Sequence, residues 1–234
     1  MVETVEPLNI AIVRFPGSNC DFDTLRFFQR GGHKANFLWH KETKIPDADL
    51  LVLPGGFAFG DRVYERATDK NFYIEPGVQT LNSPVMSVVK SWAERGKKIL
   101  GICNGFQILV HTGILPGVLY KNESGRFFCD DVDVCVEGKS FFGDNSMKGN
   151  VYRINVAHGF GRYEVDNNYT AERILKNELV FLRYHGFNPN GSDGDIAGIS
   201  NEEGNVFGMM PHPERTDPIT RQKFLEAIEK NVRS

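Results

Sequence analysis

The chain has 234 residues, of which 41% are hydrophobic and 24% charged, with a formal net charge of -3 at pH 7 and an isoelectric point near 6.1. That length buries a substantial core and favours one domain over residues 1–234, while the lack of basic excess argues against nucleic acid or an anionic membrane surface as a partner. The first residues, MVETVEPLNIAIV, carry acids where a secretory signal needs bases, and no apolar run approaches the ~20 residues of a membrane span, so a cytoplasmic protein is expected.

In chain order, NIAIVRF from Asn9 is the first expected strand, and a helix follows from about Asp21 to Arg30, where Gly31-Gly32 stops it. KANFLW and LLVLPGG are the second and third strands. Residues 84–95 place Val85, Val88, Val89 and Trp92 at helical spacing. KKILGI is a short strand, and NGFQILVHTG a helix closed by Gly113. Apolar β-branched runs alternating with helices imply strands buried on both faces of a parallel sheet.

The second half changes character. FCDDVDVCVEG, NVYRINVAHG, LVFLRYHG, DIAGISN and VFGMMP are short strand candidates, and only about Pro218 to Val232 is helical. The expected fold is therefore α/β: an open, mostly parallel sheet with helices on both faces, extended by antiparallel strands. Arg62 to Ser83 is an aromatic, polar loop without clear periodicity.

The four cysteines, Cys20, Cys103, Cys129 and Cys135, lack the CxxC spacing of a zinc site or redox dithiol. Cys103 stands out because GICNG, Gly101 to Gly105, has the G-x-S-x-G shape of a nucleophile elbow with cysteine in place of serine. A nucleophile on a sharp strand-to-helix turn takes strained backbone angles, and small residues two before and two after it let the turn pack. The new helix also turns its positive end toward the sulfur, which favours a thiolate. Taken alone, the pentapeptide fits a nucleophile and a small buried hydrophobe equally well. Cys20, in PGSNCD, also follows a strand and precedes a helix but lacks the flanking glycines, which makes it structural or site-lining.

A thiolate nucleophile needs a base, and the base an orienting group. His33, His40 and His111 read as structural or solvent-facing. In GMMPHPER, His212 lies between two prolines directly after a strand, with Glu214 two residues on. In an extended His-Pro-Glu segment the two side chains project to one side, so the carboxylate can hold one imidazole nitrogen while the other faces the thiol. A metal site on His212 and Glu214 is the competing reading, but it has no third ligand at a convincing spacing. LPGGFAFGD, ending a strand in two glycines, can present N–H groups to an oxyanion, with the Asn104 N–H as a second donor.

PGSNCD at 16–21, PGGFAFGD at 54–61, GICNGFQIL at 101–109, AHGFGRY at 157–163, NPNGS at 188–192 and GNVFGMMPHPER at 204–215 together resemble class I glutamine amidotransferases, in particular the branch that serves purine biosynthesis. That resemblance implies Cys103 as nucleophile, His212 as general base and acid, and Glu214 as its orienting partner. It implies oxyanion N–H groups from Gly56 and Asn104, and a glutamine pocket of Gln107, the His158-Gly159-Phe160 turn and Arg162. It further implies a flavodoxin-like core and no metal or cofactor in this chain. ATP, magnesium and formylglycinamide ribonucleotide would bind a large synthase subunit, joined by a small bridging subunit, and ammonia would be channelled between them.

Two departures mark the chain. Ala58 and Phe59 replace a Ser-Tyr pair usual in the family, and the segment after Asp61 is longer than usual, so no contacts are carried over from residues 62–83. Two other readings compete: a stand-alone cysteine hydrolase of the DJ-1/PfpI type, in which the PHPE segment and the HGFGRY turn have no role, and a non-catalytic regulatory subunit, against which the intact Cys103, His212 and Glu214 count.

Overall fold

The computed structural model describes residues 6–60, 77–138, 140–143, 146–165, 174, 176 and 179–233. Asp61 and the first part of the expected 62–83 loop fall outside them; Val78–Asn82 forms a 3-10 turn. Among the described residues, β1 (Asn9–Arg14), β2 (Lys34–Trp39), β3 (Leu50–Leu53), β4 (Lys98–Ile102) and β11 (Val206–Met209) form the parallel half of a nine-stranded sheet. β6 (Phe128–Val136), β7 (Val151–His158), β9 (Val180–Tyr184) and β10 (Ile196–Ser200) extend it antiparallel. The order is β2-β1-β3-β4-β11-β10-β9-β6-β7. A second, two-stranded sheet pairs β5 (Val118–Tyr120) with β8 (Arg162–Glu164).

The parallel strands read as continuous apolar runs because both faces are covered: every residue of β3 and β11 is buried. Helix α1 (Asp21–Arg30) connects β1 to β2, and α2 (Val85–Glu94) precedes β4. The chain steps outward on the sheet in opposite directions through these two connections, and right-handed crossovers then put the helices on opposite faces. The 2-1-3-4 order creates a topological switch point between β1 and β3, and open α/β sheets bind ligands in the crevice at the carboxyl ends beside such a point. Four sequence features arrive there: PGSNCD after β1, PGGFAFG after β3, Cys103 after β4 and His212 after β11.

Helix α3 (Asn104–His111) is buried along Asn104 to Val110, with Phe106, Ile108 and Leu109 at most 1% exposed. A helix buried on every side, its polar Asn104 and Gln107 included, lies inside a fold rather than on it, and each buried apolar side chain contributes about 1.5–3 kcal/mol. The helix α4 (Pro218–Asn231) starts at a sequence-readable cap: Asp217 accepts from the Ile219 and Thr220 N–H groups at 2.9 and 3.1 Å, with Pro218 in the first turn.

Gly105 is where strand and helix approach most closely. A Cβ there would overlap the Leu53 carbonyl oxygen and lie 2.9 Å from the Leu53 Cβ. Gly105→Ala is expected to destabilise the chain by about 1–3 kcal/mol, because a clash with backbone outweighs alanine's helix advantage of about 1 kcal/mol. Chemical denaturation checks this, and a stability equal to or above wild type would contradict it.

Candidate active site

Cys103 stands between β4 and α3 with φ 49° and ψ -103°, the left-handed side of φ that non-glycine residues avoid at a cost of about 1–3 kcal/mol. The elbow is held by the Cys103 N–H, which donates to the Met209 carbonyl on β11 at 2.7 Å. The small flanking residues have the expected steric cause: besides Gly105, a Cβ on Gly101 would meet Leu109 Cδ1 at 2.5 Å and the Gly105 carbonyl at 2.8 Å. Cys103 is 5% exposed, and its Sγ lies 3.7 Å from the Ala157 carbonyl at the end of β7.

His212 leaves β11 and is pinned to β7 by its N–H, which donates to the Asn155 carbonyl at 2.8 Å. Its Nδ1 lies 2.7 Å from Glu214 Oε1, and both side chains are buried. The local geometry corrects the extended His-Pro-Glu reading. Pro213–Arg215 is a 3-10 turn in which the Arg215 N–H donates back to the His212 carbonyl at 3.1 Å, so the turn rather than strand alternation brings the carboxylate under the ring. Burial works against a charge on His212, but the Glu214 carboxylate and the neighbouring Cys103 outweigh it and push the imidazole up to about 10. His212 is therefore protonated at neutral pH.

The Gly55-Gly56 turn after β3 closes over this pair. A Cβ on Gly55 would lie 2.7 Å from His212 Cε1 and 3.2 Å from Cys20 Sγ. Gly56 has φ +133°, and a Cβ on it would meet the Asn19 N at 2.5 Å, so glycine is required here for both backbone angle and space. Asn104 ties this turn to the elbow by accepting the Ala58 N–H at 3.1 Å. Its Nδ2 donates to Gln107 Oε1 at 2.9 Å, and Gln107 Nε2 donates to the Phe160 carbonyl at 2.6 Å. A chain of side-chain amides thus links the Gly-Gly turn to the His158-Gly159-Phe160 turn.

Residues 7–232 match the CobB/CobQ-like glutamine amidotransferase domain family. A phosphoribosylformylglycinamidine synthase subunit PurQ of Prochlorococcus marinus is 41% identical over 90% of both chains, and one of Thermus thermophilus is 44% identical over 88% of both. The chain belongs to the PurQ family of glutamine amidotransferases. A solved structure of PurLQS from Thermotoga maritima contains a chain 37% identical to this one, with a TM-score of 0.81 over 97% of this chain and 98% of that one. The α/β class expected from sequence is the PurQ-family fold, with the antiparallel half contributing four of the nine strands.

In this PurQ-family chain the structure brings Cys103, His212, Glu214, Gly56, Asn104, Gln107, His158, Gly159 and Phe160 to one end of the sheet. Arg162 stands apart in its engagement: its guanidinium pairs with Glu164 at 2.8 Å and lies over the Tyr120 ring. His158 is buried, and burial together with the charge of His212 pushes it down to about 3, so it is neutral. The Ala58-Phe59 departure from the family pattern is absorbed by packing. Ala58 is buried, and the Phe59 ring lies 6.0 Å from Phe15 and 5.4 Å from His40, centre to centre.

Sequence reasoning found no third ligand to accompany His212 and Glu214. The fold supplies one: Cys20 places its sulfur within 4.8 Å of a ligand atom of each. Two features disfavour a cation there. Arg215 Nη2 donates to Cys20 Sγ at 3.0 Å, putting a fixed positive charge on the thiol, and burial followed by the Glu214 charge pushes the Cys20 thiol up, keeping it protonated. Cys20 is thus a site-lining neighbour of the carboxylate. Also unforeseen were Asn155 and Thr216, which join the PHPE turn to β7 through the Asn155 carbonyl and a 2.7 Å bond from Thr216 Oγ1 to the Arg153 carbonyl. A backbone partner leaves no mark in sequence.

Proposed function

We propose that this PurQ-family chain is a single glutaminase domain that hydrolyses L-glutamine to glutamate and ammonia through a γ-glutamyl thioester on Cys103. The observation that carries the reading is a cysteine held at a left-handed elbow against a protonated, buried His212 that Glu214 orients. The Cys103 thiolate attacks the carboxamide carbon, forming a C–S bond and an oxyanion that the Gly56 and Asn104 N–H groups stabilise. Collapse expels the amide nitrogen, which takes the proton from His212 and leaves as ammonia. Water then gives a proton to the neutral His212 as it adds to the thioester carbon. The C–S bond breaks, the thiolate returns and glutamate leaves.

Gln107, the turn at 158–160 and Arg162 are proposed to hold the amino-acid end of the substrate. The first two line the same end of the sheet as the triad; Arg162 would have to exchange its Glu164 partner to take part. Ammonia at neutral pH is mostly protonated and a poor nucleophile, which is the chemical reason to deliver it inside a complex. The partners proposed are the large phosphoribosylformylglycinamidine synthase subunit, which would bind formylglycinamide ribonucleotide, ATP and magnesium, and a small bridging subunit. The PurLQS assembly of the Thermotoga relative supports them. Among the described residues no helix is long and apolar enough to cross a membrane, and the assembly is proposed to act in the cytoplasm.

The test is covalent. A glutamine-mimicking electrophile is expected to label Cys103 in the assembled complex, with saturating glutamine protecting it, as read by peptide mass spectrometry. Labelling that glutamine does not slow would favour a cysteine hydrolase with another substrate. No labelling at all would favour a non-catalytic subunit.

A further inference from the structure

Two asparagines outside the triad converge on the turn proposed to hold glutamine. Asn122, in the connection from β5 to β6, is 2% exposed. Its backbone N–H donates to the Gly159 carbonyl at 2.9 Å. Its Nδ2 donates to the His158 and Arg126 carbonyls, each at 2.9 Å. Its Oδ1 accepts the Gly161 N–H at 3.0 Å and stands 3.1 Å from His158 Nδ1. From the far side Asn190, the second asparagine of NPNGS, donates from Nδ2 to the Gly161 carbonyl at 2.8 Å and to the Tyr184 hydroxyl at 3.1 Å. The space between is closed: a Cβ on Gly161 would lie 2.6 Å from His158 Nδ1 and 2.9 Å from Asn190 Nδ2.

The partners assign the amide orientation and, through it, the imidazole tautomer. Both hydrogens of the Asn122 amide nitrogen go to carbonyls, so the atom facing His158 is an oxygen that also takes the Gly161 N–H. It can only accept, so His158 must carry its proton on Nδ1. The neutral ring then has a bare Nε2, which is buried and has no hydrogen-bond partner among the described residues. A ring free to exchange tautomers would alter the polarity of the pocket wall beside His212.

We propose that Asn122 is a positioning residue for the glutamine pocket, locking His158 in the Nδ1–H tautomer and clamping the 158–161 backbone in the conformation that receives substrate. This rests on the reading of that turn as part of the glutamine site. Neither the cysteine nor the His212–Glu214 pair is touched by Asn122, so its loss acts on substrate capture rather than on the nucleophile.

The experiment uses the assembled complex with Asn122→Ala, and with Asn190→Ala as a second variant that cuts the clamp from the other side and stands in if the first does not fold. The expected result is a KM for glutamine raised about tenfold or more, the scale of losing one or two buried hydrogen bonds, with kcat within about threefold of wild type. Ammonium-dependent synthesis and the rate of Cys103 alkylation by iodoacetamide should be unchanged. In ¹⁵N spectra of the histidine rings, the wild-type His158 Nδ1 should carry the proton, and Asn122→Ala should lose that fixed signature. A variant with wild-type KM and an unchanged His158 tautomer overturns the proposal, as does a parallel fall in glutamine turnover and iodoacetamide reactivity, which would mark a merely structural role. Failure of the underlying glutamine reading shows separately, as wild-type Cys103 that glutamine does not protect.

Discussion

Cys103→Ser is expected to lower glutamine-dependent synthesis by the assembled complex at least ~10³-fold while synthesis from added ammonium salts stays within about twofold of wild type. The magnitude follows from the protonation state of the neighbouring imidazole. With its proton affinity pushed up to about 10, His212 already holds a proton at neutral pH. Serine removes the part of that rise owed to Cys103 but leaves the larger part owed to the Glu214 carboxylate, and an imidazole that Glu214 keeps protonated cannot take the proton of a weakly acidic serine hydroxyl. Serine is close to cysteine in size and the elbow geometry is set by backbone contacts, so the melting temperature should change little. Cys20→Ser is the control. Its oxygen can still accept from Arg215, and turnover should stay within about threefold. A larger loss at Cys20 than at Cys103 would exchange their assignments.

Glu214→Gln should cost glutamine-dependent kcat about 10²–10⁴-fold and move the alkaline limb of the remaining activity to lower pH. The Glu214 carboxylate is the largest of the influences that raise His212, and burial opposes it. Removing the charge leaves burial less opposed, so the folded imidazole loses its proton at lower pH. The protonated His212 is the proposed donor to departing ammonia. Activity therefore persists below the folded value of about 10 in the wild type and falls as pH rises through it, whereas in the variant that fall begins in or below the ordinary imidazole range near 6.5. The same sign governs stability: the contribution of this pair is fully present below about 6.5 and is lost as pH climbs toward 10. A pH–rate profile of kcat checks this, and an unmoved alkaline limb would remove Glu214 from its orienting role.

Much of the parallel half was legible because its causes are local. Buried strands must be apolar along their length, and the glycine before Cys103 answers to the contact with Leu109 on the helix that follows, although the glycine after it answers to Leu53 on the neighbouring strand. The strands β5 and β8 were not legible: each has three residues, too few for period-two alternation to register. The His-Pro-Glu segment gave the right pairing for a partly wrong reason, since prolines that suit an extended chain also suit the first turn of a 3-10 helix. Asn122 was invisible for a different cause. An asparagine near Ser-Gly reads as an ordinary turn residue, and its four contacts to the 158–161 turn, unlike its local bond to the Arg126 carbonyl, exist only once β6 and β7 have paired. Cys20 shares with Cys103 only its place between a strand and a helix, and its sequence neighbours leave open whether it is structural or lines the site. Arg215, nearly two hundred residues away, settles its environment by donating to the sulfur.

The central claim is that the sulfur of Cys103 carries the glutamyl group. Acid quenching of the complex during turnover of radiolabelled glutamine, followed by peptide mapping at low pH, tests it directly. A γ-glutamyl thioester on the peptide containing Cys103, formed and discharged at rates that match turnover, is the predicted result. Label on the Cys20 peptide, or full turnover with no cysteine-bound label under conditions that preserve an authentic thioester, would contradict it.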